Sequence, residues 1–402
     1  MENKKLFGRL NGDPAIWLIV LILAFLGLIE IYSSTTMLAW KEQAGDSTYY
    51  ILRHMVFLTV GLCSMHFLTY LSYKNLSKVI TPMFWGSVVL LGLTLMLGDS
   101  TNDAKRWLYI PGTSFQFQTS DLAKLALMLY LAKVLSTCKS DPASRRAAFF
   151  QCVLAVGMVC VLIMPANLST ALLIAGTSVL VMLVGQIPLK WIGIMVLSLS
   201  LFGVLALGFC KVAGIHTRMD TWVSRLSTYI SDDADRSDED FQAEEAKIAI
   251  ARGGLLGVGP GNSLQRNSIP HPYSDFIFAI VVEECGIWGC IIVLGGYIVF
   301  LFRCISIVKG LDRTFPAFIV VGLSLNIVLQ AVSHVLVVTN VLPVTGQPLP
   351  FVSMGGTSLL LNSVSVGIIL NISRYSGKKE TVEDIEQDQE TEEVADYPFI
   401  AG

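Results

Sequence analysis

Long apolar runs separated by short polar segments dominate the pattern along this chain. A helix that crosses the hydrocarbon layer needs about 20 apolar residues, and its backbone polar groups must be satisfied internally. The runs therefore predict an all-α, polytopic membrane protein with about ten transmembrane helices. We place these helices near residues 15–35, 51–71, 79–98, 121–137, 147–164, 168–186, 191–212, 275–303, 315–339 and 354–373.

The same pattern predicts one membrane domain, residues 15–375, between a short N-terminus, 1–14, and an acidic tail, 376–402. The tail is rich in Glu, Asp and Gln and is predicted to be disordered. The longest loop covers 213–274, and near its end residues 244–252 suggest a short amphipathic helix. The first apolar run is too long for a signal peptide and lacks a cleavage pattern, so we interpret it as a retained helix.

Basic residues indicate the sidedness of the domain. They cluster before the first predicted helix and after the second, fourth, sixth, eighth and tenth, which are all on one side if the helix count is even. The positive-inside rule makes that side the cytoplasm, with both termini there. The opposite, extracytoplasmic face then carries the loops 36–50, 99–120, 213–274 and 340–353.

Composition agrees with a membrane protein, since 53% of the residues are hydrophobic and 15% are charged, against about 25% charged in soluble domains. The net charge of −3 says little about partners, and we expect no nucleic acid among them. The eight cysteines form no CxxC pair, and no His/Cys cluster has zinc spacing. Most of the cysteines lie in apolar runs, as small residues of membrane helices do.

Two candidate cationic segments lie in and just after the extracytoplasmic loop 99–120, which follows the third predicted helix. Arg106 and Trp107 form an interface pair, which is either an ordinary aromatic belt or a site for phosphate oxygens. Asp121 and Lys124 are spaced i,i+3 and share one helix face. A lysine inside a bilayer needs a partner or a wet cavity, so Lys124 either pairs with Asp121 or meets an anionic headgroup.

Asp275 follows a proline-rich approach and begins a long apolar helix. It is either a helix N-cap or, at a dry rim near the headgroups, a general base. Two turns further on, Glu283 and Glu284 are expected to face the protein interior, where they are structural or line a cavity.

Further polar features come from helix nine and the segment after it. Asn326, Gln330, Ser333 and His334 form a stripe that faces other helices or a cavity. The Pro- and Gly-rich segment 343–358 contains Gln347 and Ser353 and is predicted to be re-entrant, buried in protein or lining a cavity. The glycine-rich segment 253–261 lacks a following GK[ST] and is no nucleotide site.

Together these segments resemble the SEDS family (shape, elongation, division and sporulation), the FtsW, RodA and SpoVE type of protein, over roughly residues 15–375. The similarity is carried by five segments in family order, which are 105–108, 118–126, 253–263, 274–286 and 343–358. Within the last of them, 343–346 and 349–351 look closer to the division member than to the elongation member.

The resemblance implies a peptidoglycan glycosyltransferase that polymerises lipid II during septal wall synthesis. In this reaction the 4-hydroxyl of an acceptor GlcNAc attacks C1 of a donor MurNAc with inversion, and polyprenyl pyrophosphate leaves. Asp275 matches the family's essential aspartate and is expected to be the base, while Arg106 and Lys124 are expected to stabilise the pyrophosphate. The further expected substrate contacts are Trp107, Asp121, Asn167, Glu283, Gln347 and Ser353.

The sequence departs from the family pattern in three places. Asn167 stands where the family commonly has an acid, so a proton or metal role of that acid does not carry over. Residues 271–274 replace a Glu-Ala-His-Thr-like stretch, and Asp121 replaces the usual Glu. A divalent cation, Mg or Mn, is compatible with the chemistry, but the sequence supplies no ligand set.

The resemblance also implies lipid II as substrate, a class B penicillin-binding transpeptidase and other division proteins as partners, and contact with membrane lipids. It implies a multi-pass protein of the cytoplasmic (inner) membrane with an extracytoplasmic active site. Two other functions stay open at this point. One is a lipid II flippase, which would place its functional groups at the midplane, and the other is a non-catalytic division scaffold.

Overall fold

The computed structural model describes residues 11–42, 46–71, 73–101, 104–109, 116–138, 141–198 and 238–376. Its helices are α1 (Pro14–Ser34), α2 (Thr36–Glu42), α3 (Thr48–Leu68), α4 (Tyr73–Leu97), α5 (Thr119–Ser136), α6 (Pro142–Ile163), α7 (Leu168–Val184), α8 (Leu189–Ser198), α9 (Asp238–Gly253), α10 (Ile277–Lys309), α11 (Thr314–Val338) and α12 (Gly356–Ser373). Seven of the described helices are long and apolar enough to cross a membrane. The all-α membrane architecture predicted from the apolar runs is confirmed.

Each predicted span coincides with a described helix, but three of these helices are atypical. α5 has 18 residues and includes Asp121, Lys124 and Lys133. α7 has only 17 residues. α8 reaches Ser198, so the rest of its predicted span lies outside the described residues. The first part of the long loop, 213–237, and the tail from residue 377 also lie outside them.

Several helix starts follow from local sequence. Asp13 and Asp141 accept hydrogen bonds from backbone N–H groups at the start of α1 and α6, and proline occupies the first position of each helix. Proline suits this position because its missing N–H would be unpaired there anyway. Asn167 caps α7 in the same way, accepting from Thr170 N at 3.1 Å.

The segment predicted as a loop before α5 contains a small antiparallel sheet. Its strands are β1 (Asp99–Thr101), β2 (Ala104–Tyr109) and β3 (Gln116–Gln118), in the order β1-β2-β3. The prediction missed the sheet because strands this short leave little alternation to detect. β3 runs directly into α5, so its pairing with β2 fixes the position of residues 104–109 relative to the start of α5.

α10 is broken by its glycine at position 286. Gly286 has φ +63° and ψ −151°, which divides the helix into a short first part and a long second part. The glycine-rich segment after α9 packs into this break, where Val258 N and Gly259 N donate to the carbonyls of Glu283 and Glu284 at 2.9 and 3.0 Å. The break therefore leaves these two helix carbonyls satisfied.

α9 confirms the expected amphipathic helix near the end of the long loop and begins earlier than predicted, at Asp238. Ala243, Ala246 and Ala249 are buried and share one face because they recur every three residues. This face packs on α10. The helix thereby carries the glycine-rich segment to the break in α10.

Contacts at one end of the bundle join the starts and ends of several helices. Asp13 forms an ion pair with Arg303 of α10, and its backbone N–H donates to Ser373 Oγ at 3.0 Å. Arg374 donates to the carbonyl of Thr69, just after α3. The predicted basic segments around these residues therefore share one end of the bundle. Asp275 and the segment 343–355 lie at the other end.

Candidate active site

Asp275 lies one residue before the N-cap position of α10, which is occupied by Phe276. The helix boundary therefore does not favour the interpretation of Asp275 as the N-cap. Phe276, which occupies that position, makes no side-chain cap bond. Asp275 is half-buried, and a Cβ placed on Gly346 would lie 3.5 Å from its Oδ2. The carboxylate thus faces the backbone of the segment between α11 and α12.

That segment, residues 343–355, is buried as the sequence predicted for a re-entrant loop. Leu349, Phe351 and Val352 are all at most 3% exposed. Gly27 of α1 lies directly against it, because a Cβ there would come within 2.7 Å of Val352 O. Tyr297 of α10 donates its hydroxyl to Pro350 O. Irregular backbone at this depth is tolerated because protein surrounds it.

Two residues in positive-φ backbone belong to the two chain segments at this site, one to the approach to Asp275 and one to the segment 343–355. His271 has φ +53° and Phe351 has φ +65°, which is uncommon for residues with a side chain. The two chain segments that contain these residues are joined by a hydrogen bond, in which Met354 N donates to Tyr273 O at 2.9 Å. Ser353 Oγ also donates to Ser274 O at 2.7 Å. Strain of this kind is retained where the surrounding contacts over-determine the backbone.

Lys124 forms a buried ion pair with Asp121 at 2.8 Å, as the i,i+3 spacing predicted. Its Nζ also donates to Gln330 Oε1 at 3.2 Å, and Gln330 Nε2 donates to Pro348 O at 2.8 Å. These bonds connect α5 through the polar stripe of α11 to the segment that faces Asp275. A polar cavity of about 10 Å³ beside the pair is lined also by Asn326 and Asn362.

A second set of bonds holds the same segment from α7. Gln347 Nε2 donates to Thr170 Oγ1 at 2.6 Å, and Asn167 caps the same helix start. His334 Nδ1 lies 2.8 Å from Gln347 O. Asn167, Gln347 and Ser353 are therefore brought together by the structure, as parts of the scaffold around residues 343–355. Their side chains are all at most 4% exposed.

Arg106 and Trp107 lie on β2. Trp107 is paired with Gln118, the last residue before α5, and is half-buried. The pairing brings this strand beside the start of the helix that carries Asp121 and Lys124. The Arg106 side chain lies outside the described residues.

The carboxylates of Glu283 and Glu284 accept hydrogen bonds from the glycine-rich segment and from the residues that follow it. Glu284 accepts from Gly261 N at 2.8 Å and from the hydroxyl of Ser33. Glu283 accepts from Leu264 N at 3.2 Å and from the hydroxyl of Ser263, and lies 3.7 Å from Arg252 Nη1. Both carboxylates are buried, which agrees with the structural interpretation of this pair.

Three residues of this end of the molecule were not singled out from the sequence. Glu30 of α1 is completely buried near Glu284 and accepts a weak bond from Cys285 Sγ at 3.6 Å. A lone acid inside an apolar run was a detectable signal. Thr170 and Arg266 carried no such signal, because their partners are distant in sequence.

The part of the chain that the structure describes contains no preformed metal site. There, no group of three or more His, Cys, Asp or Glu side chains is placed to hold an ion. Asp275 and Asp121 belong to separate clusters, and Glu283 and Glu284 are engaged by backbone N–H groups. The described residues therefore do not fit a divalent cation.

The sequence and the fold match a known class of membrane protein. The profile of the FtsW/RodA/SpoVE family, described as cell cycle proteins, matches residues 13–378. Because this match covers almost the whole chain, the protein belongs to the FtsW/RodA/SpoVE family. It is a multi-pass membrane protein.

Two individual relatives are similar to this chain along nearly their full length. The chain is 31% identical over 377 residues to stage V sporulation protein E of Bacillus subtilis, covering 92% of this chain and 98% of that protein. It is 28% identical over 370 residues to a probable peptidoglycan glycosyltransferase FtsW of Geobacter sp., covering 91% and 98%.

Solved structures show the same architecture. A chain of a peptidoglycan synthase complex that coordinates polymerization and crosslinking has a TM-score of 0.69 and 25% identity, covering 90% of this chain and 98% of that one. The rod shape determining protein RodA of Thermus thermophilus has a TM-score of 0.65 and 24% identity, covering 92% and 98%. The RodA similarity concerns the fold alone.

Proposed function

We propose that this protein is a peptidoglycan glycosyltransferase that polymerises lipid II, with Asp275 as the general base. The observation that carries the proposal is the half-buried Asp275 carboxylate facing Gly346 in a buried, strained segment. The family membership and the names of the relatives support the reaction class. The placement supports a base because a fixed carboxylate beside a rigid wall can accept a proton from a bound hydroxyl.

In the proposed reaction, the acceptor 4-hydroxyl attacks C1 of the donor sugar with inversion. Asp275 takes the hydroxyl proton as the new C–O bond forms, and the bond to the polyprenyl pyrophosphate breaks with its electron pair on the leaving group. The buried bonds of Ser353 and Gln347 support a rigid position for the segment that faces Asp275. Such a fixed geometry lowers the cost of reaching the transition state.

The leaving pyrophosphate needs cations. Arg106 is proposed to bind it from β2, with Trp107 along the lipid or sugar path, since β2 pairs with the chain beside the start of α5. Lys124 is already neutralised by Asp121 and bonded to Gln330. A direct contact of Lys124 with pyrophosphate requires that pair to open, so its contacts favour a positioning role for Lys124.

The proposal extends to the setting of the reaction. We place the protein in the cytoplasmic membrane with both termini in the cytoplasm and Asp275 on the extracytoplasmic face, as the basic segments indicate. A class B penicillin-binding transpeptidase is the proposed partner, supported by the similarity to a chain of a peptidoglycan synthase complex. Septal synthesis remains the proposed process.

The decisive experiment is polymerisation of lipid II by the purified full-length protein with its transpeptidase partner. Asp275→Asn should lower the rate of glycan-strand formation by about 10²–10⁴-fold, because it removes a general base. Asp141→Asn is the matched control, since Asp141 caps α6 at an exposed site and asparagine caps equally well. It should polymerise at the wild-type rate.

Two results would contradict the proposal. If Asp275→Asn polymerises as fast as the wild type, Asp275 is not the base. If the wild type instead moves lipid II into protected liposomes without forming strands, a flippase is favoured. A scaffold is favoured if Asp275→Asn supports growth while deletions in the tail or the long loop do not.

A further inference from the structure

A cavity of about 260 Å³ lies between the end of α1, α2 and the chain segment 266–273. Its polar walls include Arg266, Asn267 and His271, and its apolar walls include Met37 and Leu38. The segment leads within two residues to Asp275, whose backbone N–H donates to His271 O at 3.3 Å. The cavity therefore adjoins the candidate active site but is separate from the Lys124 cluster.

Arg266 is the charged group of this cavity, and its charge is not neutralised locally. Its Nη1 donates to Ser33 O at 3.2 Å and to Ser33 Oγ at 2.8 Å. No carboxylate of the described residues lies within ion-pair distance of it, and its buried Nε has no hydrogen-bond partner among them. This differs from Lys124, whose charge is already matched by Asp121.

The guanidinium is held in position by the buried glutamates. Arg266 N donates to Ser263 Oγ at 3.1 Å, and that hydroxyl donates to Glu283. Ser33, which accepts from Arg266, donates its own hydroxyl to Glu284. The two glutamates thus fix both the backbone and the head group of Arg266 without pairing directly with it. A fixed guanidinium with free donors suits phosphate oxygens, which it can bind in a bidentate manner.

Aromatic residues near the cavity in sequence, two residues from its lining residues Ser34 and Leu38, indicate its depth. Tyr32 at the end of α1 is 59% exposed and Trp40 on α2 is 70% exposed. Exposed Tyr and Trp side chains mark the interface between membrane and water. A ligand here would meet Met37 and Leu38 with an apolar part and Arg266 with an anionic part, as a lipid phosphate does.

We propose that this cavity is a lipid-phosphate subsite in which Arg266 binds the phosphate of a lipid beside Asp275. The phosphate belongs either to a lipid-linked substrate or to an anionic phospholipid of the membrane. The first source rests on the proposed function, whereas the second does not.

The test measures lipid binding rather than turnover. The full-length protein carrying Asp275→Asn is placed in nanodiscs of phosphatidylcholine, and the binding of lipid II is titrated. Arg266→Gln should weaken binding by about 10- to 100-fold, as loss of a charge-assisted hydrogen bond implies. Arg266→Lys should recover part of the affinity. Lys190→Gln is the charge-matched control, since Lys190 is exposed and outside the cavity.

A second variant leaves Arg266 in place. Asn267→Glu sets a carboxylate in the cavity at an exposed position, where it should neutralise the guanidinium and weaken binding as well. A second arm repeats the titration with phosphatidylglycerol in place of lipid II, and undecaprenol serves as the uncharged lipid. Binding of undecaprenol should not depend on Arg266.

The outcomes separate the two sources and the two proposals. Dependence on Arg266 for lipid II alone identifies a substrate subsite, and dependence for phosphatidylglycerol identifies a phospholipid subsite. Either result can be obtained even if the protein forms no glycan strands. The proposal is overturned if Arg266→Gln and Asn267→Glu bind both lipids as the parent does, or if Lys190→Gln weakens binding equally.

Discussion

The charged side chains near the candidate site differ in the groups that neutralise them. Lys124 has a carboxylate partner, Glu283 and Glu284 have backbone and hydroxyl donors, and among the described residues the Arg266 guanidinium bonds to Ser33 alone. The sequence pattern alone treated Lys124, Glu283 and Glu284 as intramembrane charges in need of partners and did not single out Arg266. The structure sorts them into supporting groups and one cation that remains available to a ligand.

The Asp121–Lys124 pair yields a stability prediction. Lys124→Met should lower the free energy of unfolding by about 3–5 kcal/mol, because it leaves a buried carboxylate uncompensated. Adding Asp121→Leu should recover much of this loss, since an apolar pair replaces an ion pair of similar position. Thermal unfolding of the purified protein followed by tryptophan fluorescence measures both effects.

The control for this cycle is Lys190→Met, which changes an exposed lysine and should leave the midpoint nearly unchanged. If the losses of stability caused by Lys124→Met alone and by Asp121→Leu alone simply add in the double variant, the two side chains are not coupled. Lys124 would then lack the positioning role described above.

At the scale of elements, the break in α10 matters most. It allows the glycine-rich segment to cap two helix carbonyls and to present N–H groups to the glutamate side chains. Only glycine fits at position 257, because a Cβ there would come within 2.1 Å of Glu284 O. Two glycines that are distant in sequence therefore make one junction.

Gly286→Ala tests this junction. The new Cβ would come within 2.5 Å of Gly257 N at a φ of +63°, so the backbone must move. We expect a loss of about 1–3 kcal/mol of stability, as for other overpacked sites, together with slower polymerisation. Gly295→Ala in the same helix meets nothing within 4 Å and should be neutral or stabilising by up to about 1 kcal/mol.

Melting temperature and the rate of glycan-strand formation distinguish these variants. Equal stability of Gly286→Ala and Gly295→Ala would show that the break is not required by the fold. A loss of stability in Gly286→Ala with a normal rate would show that the junction does not support the active site.

For the whole molecule, the two ends of the bundle have different chemistry. Ion pairs and carbonyl contacts near the termini tie one end, and the strained segments around Asp275 occupy the other. Together with the basic segments, this arrangement supports an active site on the face opposite the termini.

Cysteine labelling of intact cells tests this topology. In a variant without the eight native cysteines, Ser268→Cys should react with a membrane-impermeant maleimide because Ser268 is exposed at the Asp275 end. Ala143→Cys, exposed at the start of α6, should react only after the membrane is permeabilised. The reverse pattern would place Asp275 in the cytoplasm and exclude the proposed reaction.

The sequence by itself determined the features that depend on neighbouring residues. Apolar run length determined the helical spans, Asp-Pro and Asn167 set helix starts locally, and the i,i+3 spacing placed Asp121 and Lys124 on one helix face. Hydropathy, capping and helix periodicity are local properties, so they are legible in one stretch of chain.

Only the tertiary structure decided which distant groups satisfy one another. It paired β2 with β3, placed the glycine-rich segment in the break of α10, and tied the segment 343–355 to α11 through Gln330 and to α7 through Gln347. It also bonded Leu264 N and Arg252 to Glu283, while no carboxylate of the described part of the chain pairs with Arg266. These outcomes depend on packing between segments far apart in the chain, where burial makes each unmet polar group costly and thereby selects its partner.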